Sequence, residues 1–316
     1  MPAISVIIPV YNAHVYFAEA LPALLHQTFQ DYELIFINDG STDDSEAILQ
    51  KLAQEDVRVQ VLSQENKGQG AARNKGIDRA KGDFICFVDI DDAVSEKMLE
   101  RLYQKAQQED ADIVWCSANL IKNGEKVGCL DDTTIWSDDD EKNYVLHHAS
   151  PWRKLIKRQL LIDHALYFPK LRAYEDLAVV PHYGQYAKRI AYVEEALYDY
   201  VLHEGSTMHQ STYNDKLECI FPCMEHLYNG FDEAHRVRYH DELEYLFTDH
   251  LLHAASLRFF AFAQGKQALD RIVKVMQTRF PDWRKNVYVK QKNWKYRLIC
   301  TLFYQKRYRL LKWLLR

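Results

Sequence analysis

The first 120 residues alternate between short apolar runs and longer stretches whose apolar residues recur at helical spacing. Short apolar runs predict buried strands, and the amphipathic stretches predict helices. The predicted strands are residues 4–10, 33–37, 57–62, 84–88 and 112–121. The predicted helices cover residues 14–27, a segment ending near 55, residues 68–80 and a segment from 95 to about 109. Strands that alternate with helices of this length predict an α/β fold built on a mainly parallel sheet.

The alternation ends after Lys122, and the character of the chain changes. The elements predicted downstream are a loop or hairpin insertion over 123–144, a helix over 150–164, a second helix that follows residues 173–176 and runs to about 187, and one or two closing strands within 190–202. From Tyr213 onward the pattern is almost entirely helical. We therefore expect an α/β domain over residues 1–210 and an all-helical C-terminal domain over 211–316.

The net charge and the cysteine content limit the partners and the cellular compartment that we expect for this protein. The formal net charge of -5 gives no general argument for a nucleic-acid partner. The sequence begins with strand pattern and without a basic leader, so we expect no signal peptide, and no run approaches the ~20 apolar residues that span a bilayer. The six cysteines lack the spacing of a zinc site. Reduced thiols in a cytoplasmic protein are the simplest interpretation.

Three carboxylates, Asp89, Asp91 and Asp92, directly follow the predicted strand 84–88. The carboxyl ends of buried strands form the ligand crevices of open α/β sheets. Because like charges this close together repel one another, they favour a compensating cation. Oxygen ligands prefer a hard ion such as manganese (Mn2+) or magnesium (Mg2+). A solvated acidic turn is the alternative, and the buried strand that leads into these acids disfavours it.

A Gly-x-Gly pair, Gly68 and Gly70, lies between a predicted strand and a predicted helix. The stretch does not match the dinucleotide-binding fingerprint, because Arg73 replaces the third glycine and because it is not the first strand-to-helix turn of the domain. The glycines still allow the backbone to approach a ligand closely, and the guanidinium of Arg73 suits a phosphate. From local sequence alone, Arg73 as a solvated helix residue is an equal alternative.

Taken together, several motifs resemble the family 2 glycosyltransferases. They stand in the family's order at residues 5–12 (SVIIPVYN), 38–43 (NDGSTD), 66–68 (NKG), 72–76 (ARNKG) and 87–92 (FVDIDD). The resemblance covers about residues 3–120 firmly and extends more thinly to about 210. It implies the Rossmann-like GT-A fold of nucleotide-diphospho-sugar transferases, with helices on both faces of the sheet.

The resemblance implies a nucleotide-sugar site within about residues 1–120 and an acceptor side within about 121–210. The residues expected to bind the nucleotide and its phosphates are Pro9, Tyr11, Asn12, Asp39, Gly68, Arg73 and Asp89. The first three would line the base pocket, and Asp39 would accept hydrogen bonds from the base or ribose. Asp89 would lie near the ribose and the metal, while Asp91 would bind the divalent ion that stabilises the departing nucleotide. Asp92 either orients this pair, touches the sugar or caps a helix.

Inverting transfer also needs a base that removes the proton of the acceptor hydroxyl, and a carboxylate can serve. The pair Glu175 and Asp176 matches the family's Glu-Asp motif, which implies Asp176 as the base and Glu175 as its support or an acceptor contact. The alternative is that both acids only complement a helix N-terminus. Further candidates are His203 or His209 for the metal or diphosphate, and Arg153 with Lys154 for the acceptor or a phosphate.

The implied enzyme is an inverting, metal-dependent glycosyltransferase. It would move a hexose or N-acetylhexosamine from a nucleotide sugar, with UDP favoured, to a bacterial surface glycan such as lipopolysaccharide or capsule. One alternative is a catalytically inactive nucleotide-sugar-binding or scaffolding protein of the same fold, which the intact Asp89, Asp91 and Asp176 disfavour. Another is a sugar-nucleotidyltransferase, but residues 10–13 (VYNA) stand where that class carries a Gly-rich phosphate loop.

Residues 294–316 combine aromatic, leucine and basic residues, and no Asp or Glu follows Asp282. This composition is typical of a helix that lies in an anionic membrane interface, and a lipid-linked glycan acceptor would suit such a position. Packing against the domain or in a homodimer, with the cations exposed, is the alternative. We expect a cytoplasmic protein that reaches the inner face of the cell membrane through this tail.

Overall fold

The computed structural model describes residues 1–130, 139–147, 149–203 and 213–315. The chain divides into two compact units. The first comprises Met1–Leu171 with Glu175–Ser206, and the second comprises Arg172–Tyr174 with Thr207–Arg316. Every strand of the described residues belongs to the first unit. That unit therefore contains all the strand ends that are predicted to bind a ligand.

A single sheet organises the first unit. Its strands are β1 (Ile4–Val10), β2 (Tyr32–Asn38), β3 (Val59–Ser63), β4 (Phe84–Phe87), β5 (Ala93–Val94), β6 (Ile113–Lys122), β7 (Glu125–Leu130), β8 (Lys154–Lys157) and β9 (Ile190–Val201). The order is β3-β2-β1-β4-β8-β6-β9-β5, and β7 pairs with β6. The pairs β1–β2, β1–β4, β2–β3 and β6–β9 are parallel, whereas β5, β7 and β8 pair antiparallel. The predicted α/β architecture is confirmed, and the three antiparallel strands make the sheet mixed.

The helices of the first unit connect and cover these strands. They are α1 (Phe17–Leu25), α2 (Ser45–Glu55), α3 (Gln69–Arg79), α4 (Met98–Glu109), α5 (Asp140–Leu146), α6 (Arg158–Asp163) and α7 (Val180–Tyr183). A 3₁₀ turn, His14–Tyr16, precedes α1, and Pro22 lies inside that helix. The first four helices thus lie within a few residues of their predicted positions.

Alternate residues of the central strands enter two separate apolar layers. On β1, Val6 and Ile8 pack in one layer with α1, α2 and α4, while Ile7 packs in the other with α3, α6 and α7. Side chains of a strand alternate between the two faces of a sheet, so helices cover both faces. This double burial explains why β1, β2 and β4 are continuously apolar runs with little alternation.

The predicted helix over residues 150–164 is wrong in its first half. Residues Lys154–Lys157 form β8, which runs antiparallel between β4 and β6, and only Arg158–Asp163 is helical. Leu155 and Ile156 are completely buried and pair with residues of both neighbouring strands. Two apolar residues between lysines carry too short a pattern to separate a strand from a helix. The segment forms a strand because it fills the gap between β4 and β6 in the sheet.

Two other downstream predictions change. The helix predicted to follow residues 173–176 and to run to about 187 is reduced to α7, Val180–Tyr183, because turns occupy most of the rest of this segment. Of the two possibilities for residues 123–144, the structure shows a hairpin: β7 folds back antiparallel on β6 through the turn at Asn123 and Gly124, both of which have positive φ. Residues 131–138 lie outside the described part of the chain.

From residue 213 onward, the described part of the second unit is mainly helical. Its helices are α8 (Asp215–Glu218), α9 (Ile220–Asn229), α10 (Glu233–Arg238), α11 (His240–Phe247), α12 (Ser256–Phe260), α13 (Lys266–Arg279), α14 (Val287–Gln291), α15 (Trp294–Tyr304) and α16 (Tyr308–Leu314). A π-helical segment, Thr248–Ala255, joins α11 to α12. No helix among the described residues combines the length and apolar character needed to cross a bilayer.

The basic, aromatic tail forms two of these helices. On α15 the apolar side chains of Ile299, Cys300 and Phe303 are buried, and on α16 Leu311 is completely buried. The tail is therefore packed into the second unit along one side of each helix. Only the opposite sides remain for contact with another surface.

Candidate active site

Three neighbouring parallel strands end together at the candidate site. In their register, Val10 lies beside Asn38 on β2, and Ile7 lies beside Phe87 on β4. The polar residues that follow β1, β2 and β4 therefore meet at one edge of the sheet. This edge is where open α/β sheets bind their ligands.

Asn12 holds the loop after β1 against the loop after β2. Its backbone N–H donates to Ser41 Oγ (3.0 Å), and its Oδ1 accepts from the backbone N–H of Thr42 (2.8 Å). Asn12 has a φ of 51°, a left-handed conformation that asparagine adopts more readily than most residues. Pro9 is buried in β1, whereas Tyr11 is 52% exposed. The ring of Tyr11 is thus accessible to a planar ligand.

Asp39 holds the loop that leads into α3. Its Oδ1 accepts from Gln64 Nε2 (2.8 Å) and from the Lys67 N–H (2.9 Å), and its Oδ2 accepts from the Gly68 N–H (2.8 Å). Gly68 has a φ of 89°, which side chains other than glycine rarely adopt. Three of about four acceptor sites on the carboxylate are thus used inside the protein. The contact of Asp39 with a base or ribose stays a prediction.

The acidic turn, which comprises residues 89–92 after β4, is hydrogen-bonded to β9 through the buried side chain of Asp92. Asp92 Oδ2 accepts from the hydroxyl of Tyr198 (2.7 Å), and Oδ1 accepts from the Val201 N–H (2.8 Å). The same hydroxyl accepts a hydrogen bond from the backbone N–H of Asp89 (3.2 Å). Burial, together with Asp89 and Asp91, raises the pKa of Asp92 to about 8. This geometry favours the orienting role among the alternatives for Asp92.

Asp91 and His203 lie beside each other at the open side of the turn. His203 Nε2 is 3.7 Å from Asp91 Oδ2 and 3.3 Å from the Asp91 carbonyl oxygen. The His203 ring also contacts Tyr16, with 5.3 Å between ring centroids. Burial and the nearby Asp89 raise the pKa of Asp91, and His203 lowers it in part. His209, the other histidine candidate, lies outside the described residues.

Asp89, Asp91 and His203 offer oxygen and nitrogen ligands that fit a divalent ion. Asp89 Oδ1 accepts from Gln69 and Arg73, while Oδ2 accepts no hydrogen bond from the described residues. The effect of Asp89 on the pKa of Asp91 shows negative charge that a cation would relieve. Among the described residues, these ligand atoms do not all lie within 4.8 Å of one another. An ion would therefore need further oxygen ligands, as Mg2+ takes from substrate phosphates.

Arg73 joins the acidic turn to the Glu-Asp pair. Its Nη2 lies 2.8 Å from Asp89 Oδ1, and its Nη1 lies 3.1 Å from Glu175 Oε1. The residue is only 2% exposed, and its guanidinium carbon lies 5.3 Å from the centre of the Phe168 ring. Burial alone would lower the pKa of Arg73, but Asp89 and Glu175 raise it. The guanidinium is thus buried between two acids instead of solvated on a helix, and its contact with phosphate stays a prediction.

Asp176 follows Glu175 in a turn and has an unusual acidity. Its Oδ1 accepts from the Leu177 N–H (2.7 Å). Burial and the charge of Glu175 raise the pKa of Asp176 to about 6, although the Leu177 N–H and Arg73 lower it. A carboxyl with a pKa near neutrality is suited to remove a proton at physiological pH. The helix that follows, α7, begins only at Val180 and has four residues. A favourable interaction with a helix N-terminus therefore explains Glu175 and Asp176 poorly.

Close packing of α3 on the sheet sets the position of Arg73. A Cβ added at Gly76 would lie 2.3 Å from Ile7 Cγ2, so this contact between helix and strand requires glycine. Asn74 is tied to Phe168 by two hydrogen bonds of 2.8 Å, one in each direction between side chain and backbone. These contacts hold α3 against β1 on one side and against the segment before Glu175 on the other.

The structure also places two candidates away from solvent. Arg153 is completely buried and donates to the Cys116 carbonyl (2.6 Å), and Lys154 is 2% exposed and donates to the Ser150 carbonyl (2.6 Å). Cations held in this way are not accessible to an acceptor or a phosphate. The sequence pattern had assigned this stretch to a helix, whereas Lys154 lies in a buried strand. This position explains why its side chain is not available to an acceptor or a phosphate.

Two residues that contact the acidic turn were not predicted to do so. The Tyr198 hydroxyl bridges Asp89 and Asp92, and Gln69 Nε2 donates to Asp89 (2.9 Å). Tyr198 also stacks on Trp152, with 4.7 Å between ring centroids. The available signal was a tyrosine in the alternating pattern of the last strand, which pairs with Val94 of β5, two residues after Asp92.

The strand order and the position of the acidic turn define a GT-A fold, and a solved structure agrees. The S. aureus protein TarS in complex with UDP-GlcNAc superposes with a TM-score of 0.70 and 25% sequence identity, over 87% of this chain and 81% of that chain. The sequence profile of glycosyl transferase family 2 matches residues 5–175, which is more than half of the chain. The chain belongs to glycosyl transferase family 2.

Two curated relatives that are named as glycosyltransferases match about two thirds of this chain. Glycosyltransferase GlyG of Streptococcus pneumoniae serotype 4 is 35% identical over 228 residues, which cover 65% of this chain and 72% of GlyG. Putative glycosyltransferase EpsH of Bacillus subtilis is 34% identical over 228 residues, which cover 68% of this chain and 65% of EpsH. The matched region spans roughly two thirds of each relative.

Proposed function

We propose that this protein is an inverting, metal-dependent glycosyltransferase that moves a hexose or an N-acetylhexosamine from a nucleotide sugar to a bacterial surface glycan. The observation that carries the proposal is the guanidinium of Arg73, which lies between Asp89 of the acidic turn and Glu175 beside Asp176. This contact brings the proposed donor site and the proposed base into one site.

The donor is a nucleotide sugar, and a UDP-sugar is favoured. The binding of UDP-GlcNAc by TarS, at 25% identity, supports this choice. The exposed ring of Tyr11 would stack on the base, and Pro9 and Asn12 would shape its pocket. Asp39 would contact the base or ribose with its remaining acceptor site.

Asp91, with Asp89 and His203, would hold Mn2+ or Mg2+ against the diphosphate. A divalent ion at this position would act as a Lewis acid and neutralise the charge of the leaving nucleotide. Asp92 and Tyr198 would keep the turn in place through their buried hydrogen bond. Arg73 would hold Asp89 in position for this role, and Gln69 would assist it.

Asp176 is the proposed base, and Glu175 supports it or contacts the acceptor. Asp176 would accept the proton of the acceptor hydroxyl while the hydroxyl oxygen bonds to the anomeric carbon. The bond from that carbon to the diphosphate breaks, and its electron pair leaves with the nucleoside diphosphate. Attack opposite the leaving group inverts the configuration. The pKa of about 6 leaves most of Asp176 ionised at neutral pH.

The proposed acceptor is a glycan of a cell-surface polymer, free or linked to lipid. A lipid-linked acceptor would place the enzyme on the cytoplasmic side of the cell membrane, where the basic tail of the second unit would make peripheral contact. The alternative to this membrane contact is a homodimer that buries the tail.

The decisive experiment is to measure the nucleoside diphosphate released from a panel of nucleotide sugars with Mn2+ present. We expect turnover of one donor, and its loss with a chelator, with Asp91→Asn and with Asp176→Asn. Asp110→Asn is the matched control, because Asp110 is an exposed residue with a φ of 49° that asparagine tolerates. Retained activity in Asp176→Asn would assign the base elsewhere. Donor binding without turnover, with candidate acceptors supplied, would favour the inactive binding protein instead.

A further inference from the structure

The second unit carries a long stretch that is rich in Lys and Arg and contains no acid. After Asp282 the sequence contains no acid and these cations: Arg284, Lys285, Lys290, Lys292, Lys295, Arg297, Lys306, Arg307, Arg309, Lys312 and Arg316. Lys285 pairs with Asp282 (2.9 Å), and Lys306 pairs with Asp270. By contrast, Arg284, Lys290, Lys295, Arg297, Arg309 and Lys312 form no ion pair with any carboxylate that the structure describes. Such charge favours an anionic partner.

Large apolar side chains are exposed within the same stretch. Trp313 is 76% exposed, Trp294 is 66% exposed and Leu310 is 48% exposed. Exposed tryptophans are unusual on a surface that meets only water. Trp and Leu among Lys and Arg are instead typical of side chains that enter the boundary between lipid headgroups and acyl chains.

On the last helix, α16, the buried residue and the exposed residues lie on opposite sides. Leu311 is completely buried, while Arg309, Leu310, Lys312 and Trp313 are exposed. At 3.6 residues per turn, these four side chains surround the direction opposite to Leu311. The solvent side of α16 therefore presents two cations and two apolar anchors together, and its other side is fixed to the core of the second unit.

We infer that this solvent side of α16, together with Trp294 and the cations near it, docks on the anionic surface of a lipid bilayer. The inference deepens and rests on the membrane contact included in the proposed function. The cations would be attracted to acidic headgroups, and Trp313 and Leu310 would enter the interface. A symmetric contact between two copies would place this patch against itself and oppose cation to cation, which disfavours a second copy as the occupant.

Reversible binding follows from the limited apolar contact. Because the apolar sides of α15 and α16 are packed into the unit, only a few anchors remain for lipid. Electrostatic attraction then supplies most of the affinity, and salt weakens it since the Debye length at 0.1 M is only about 10 Å. This differs from a long amphipathic helix that lies in the membrane along its whole length.

The test is flotation of the 316-residue chain with vesicles of phosphatidylcholine alone or with one third phosphatidylglycerol. We expect binding to the anionic vesicles only, and its loss at high salt. Replacing Arg309 and Lys312 together by Gln should weaken binding about 30-fold, at roughly 1 kcal/mol per cation. Trp313→Ala should weaken it as well. Val237→Ala is the matched control, since Val237 is 75% exposed in the same unit and lies outside the patch.

Equal binding to neutral vesicles, or binding that the Arg309 and Lys312 substitutions leave unchanged, would overturn the inference. So would a change in molar mass, measured by light scattering, that the same substitutions abolish, because the patch would then join copies of the chain. Donor turnover measured without vesicles separates the two proposals. Turnover without vesicle binding would reject the membrane surface alone, and vesicle binding without turnover would leave the membrane surface supported and the transferase rejected.

Discussion

Arg73 and Glu175 are separated by 102 residues in sequence, yet Arg73 Nη1 lies 3.1 Å from Glu175 Oε1. The other end of the same guanidinium lies 2.8 Å from Asp89 Oδ1. Both carboxylates are mostly buried, so the cation has two partners in a region that water screens weakly. This shared cation is the physical link between the acidic turn after β4 and the Glu-Asp pair.

Removal of the charge of Arg73 should destabilise the fold and change the acidity of the site. Arg73→Gln leaves Asp89 and Glu175 without their buried partner, and we expect a loss of about 3 to 5 kcal/mol in the free energy of unfolding. Urea denaturation measures this loss. Because Arg73 lowers the pKa of Asp176, the acid limb of the pH-activity profile should also move to higher pH.

Arg73→Lys is the control for this prediction, because it keeps a positive charge but cannot contact both acids with a planar fork. We expect an intermediate loss of stability and a smaller shift of the profile. If Arg73→Gln unfolds at the same urea concentration as the parent protein, the buried contacts of Arg73 contribute little.

The raised pKa of Asp176 predicts opposite effects on activity and stability. In the proposed mechanism the Asp176 carboxylate accepts the acceptor proton, so kcat/KM should fall as pH drops through about 6. The free energy of unfolding should change in the opposite direction with pH. Because the folded pKa lies above the unfolded value, protonation of Asp176 favours the folded state, and this contribution is lost as pH rises through about 6.

Asp176→Asn should therefore abolish transfer and yet stabilise the metal-free protein above pH 6, by about 2 to 3 kcal/mol at 1.36 kcal/mol per pKa unit. Below pH 4 the variant and the parent protein should unfold alike. Thermal unfolding at both pH values checks the sign. A variant that is less stable than the parent at pH 8 would contradict a raised pKa.

The sequence is sufficient to predict the strands that carry the site but not the contacts between distant residues. β1, β2 and β4 are apolar runs that end in polar residues, a pattern strong enough to locate them and the acidic turn. β8 was not predicted, because Lys154–Lys157 becomes a strand only by filling the gap between β4 and β6.

The buried environment of Arg73 could not be predicted from the sequence either. It lies on a helix with several polar residues, where solvent exposure was an equal alternative. Its burial depends on Phe168 and Glu175, which come close only after the chain has passed through β6 and β8. Tyr198 reaches Asp92 for a similar reason, through the pairing of β5 with β9. Tertiary contacts of this kind leave no local pattern.

The Tyr198 hydroxyl should be needed for the position of the acidic turn. Tyr198→Phe keeps the ring stacked on Trp152 but removes the bonds to Asp92 and to the Asp89 N–H. Because Asp92 would lose a buried hydrogen bond, we expect a loss of about 1 to 3 kcal/mol in stability. Calorimetry should also show weaker binding of nucleotide with Mn2+.

Tyr200→Phe is the matched control for Tyr198→Phe. Tyr200 also stacks on Trp152, with 5.1 Å between ring centroids, and its hydroxyl forms no hydrogen bond with the described residues. We expect this variant to bind nucleotide like the parent protein. Equal losses in the two variants would assign the effect to the aromatic stack and not to the hydrogen bond with Asp92.

Gly76 and Gly68 should respond to alanine for different reasons. At Gly76 a Cβ would lie 2.3 Å from Ile7 Cγ2, so Gly76→Ala forces α3 away from β1 and should cost about 1 to 3 kcal/mol. At Gly68 no atom would contact the Cβ, and the cost comes only from the φ of 89°, about 1 to 2 kcal/mol.

A double-mutant cycle with Ile7→Ala separates the two mechanisms. Removing the Ile7 side chain makes room for the Cβ at position 76, so the Gly76→Ala and Ile7→Ala losses should add to more than the loss in the double variant. Gly68→Ala should add to Ile7→Ala without interaction, because its strain lies in its own backbone. Urea denaturation of the six proteins gives both coupling energies. Additivity at Gly76 would mean that α3 relaxes without pressing on Ile7, and the position of Arg73 would then not depend on this contact.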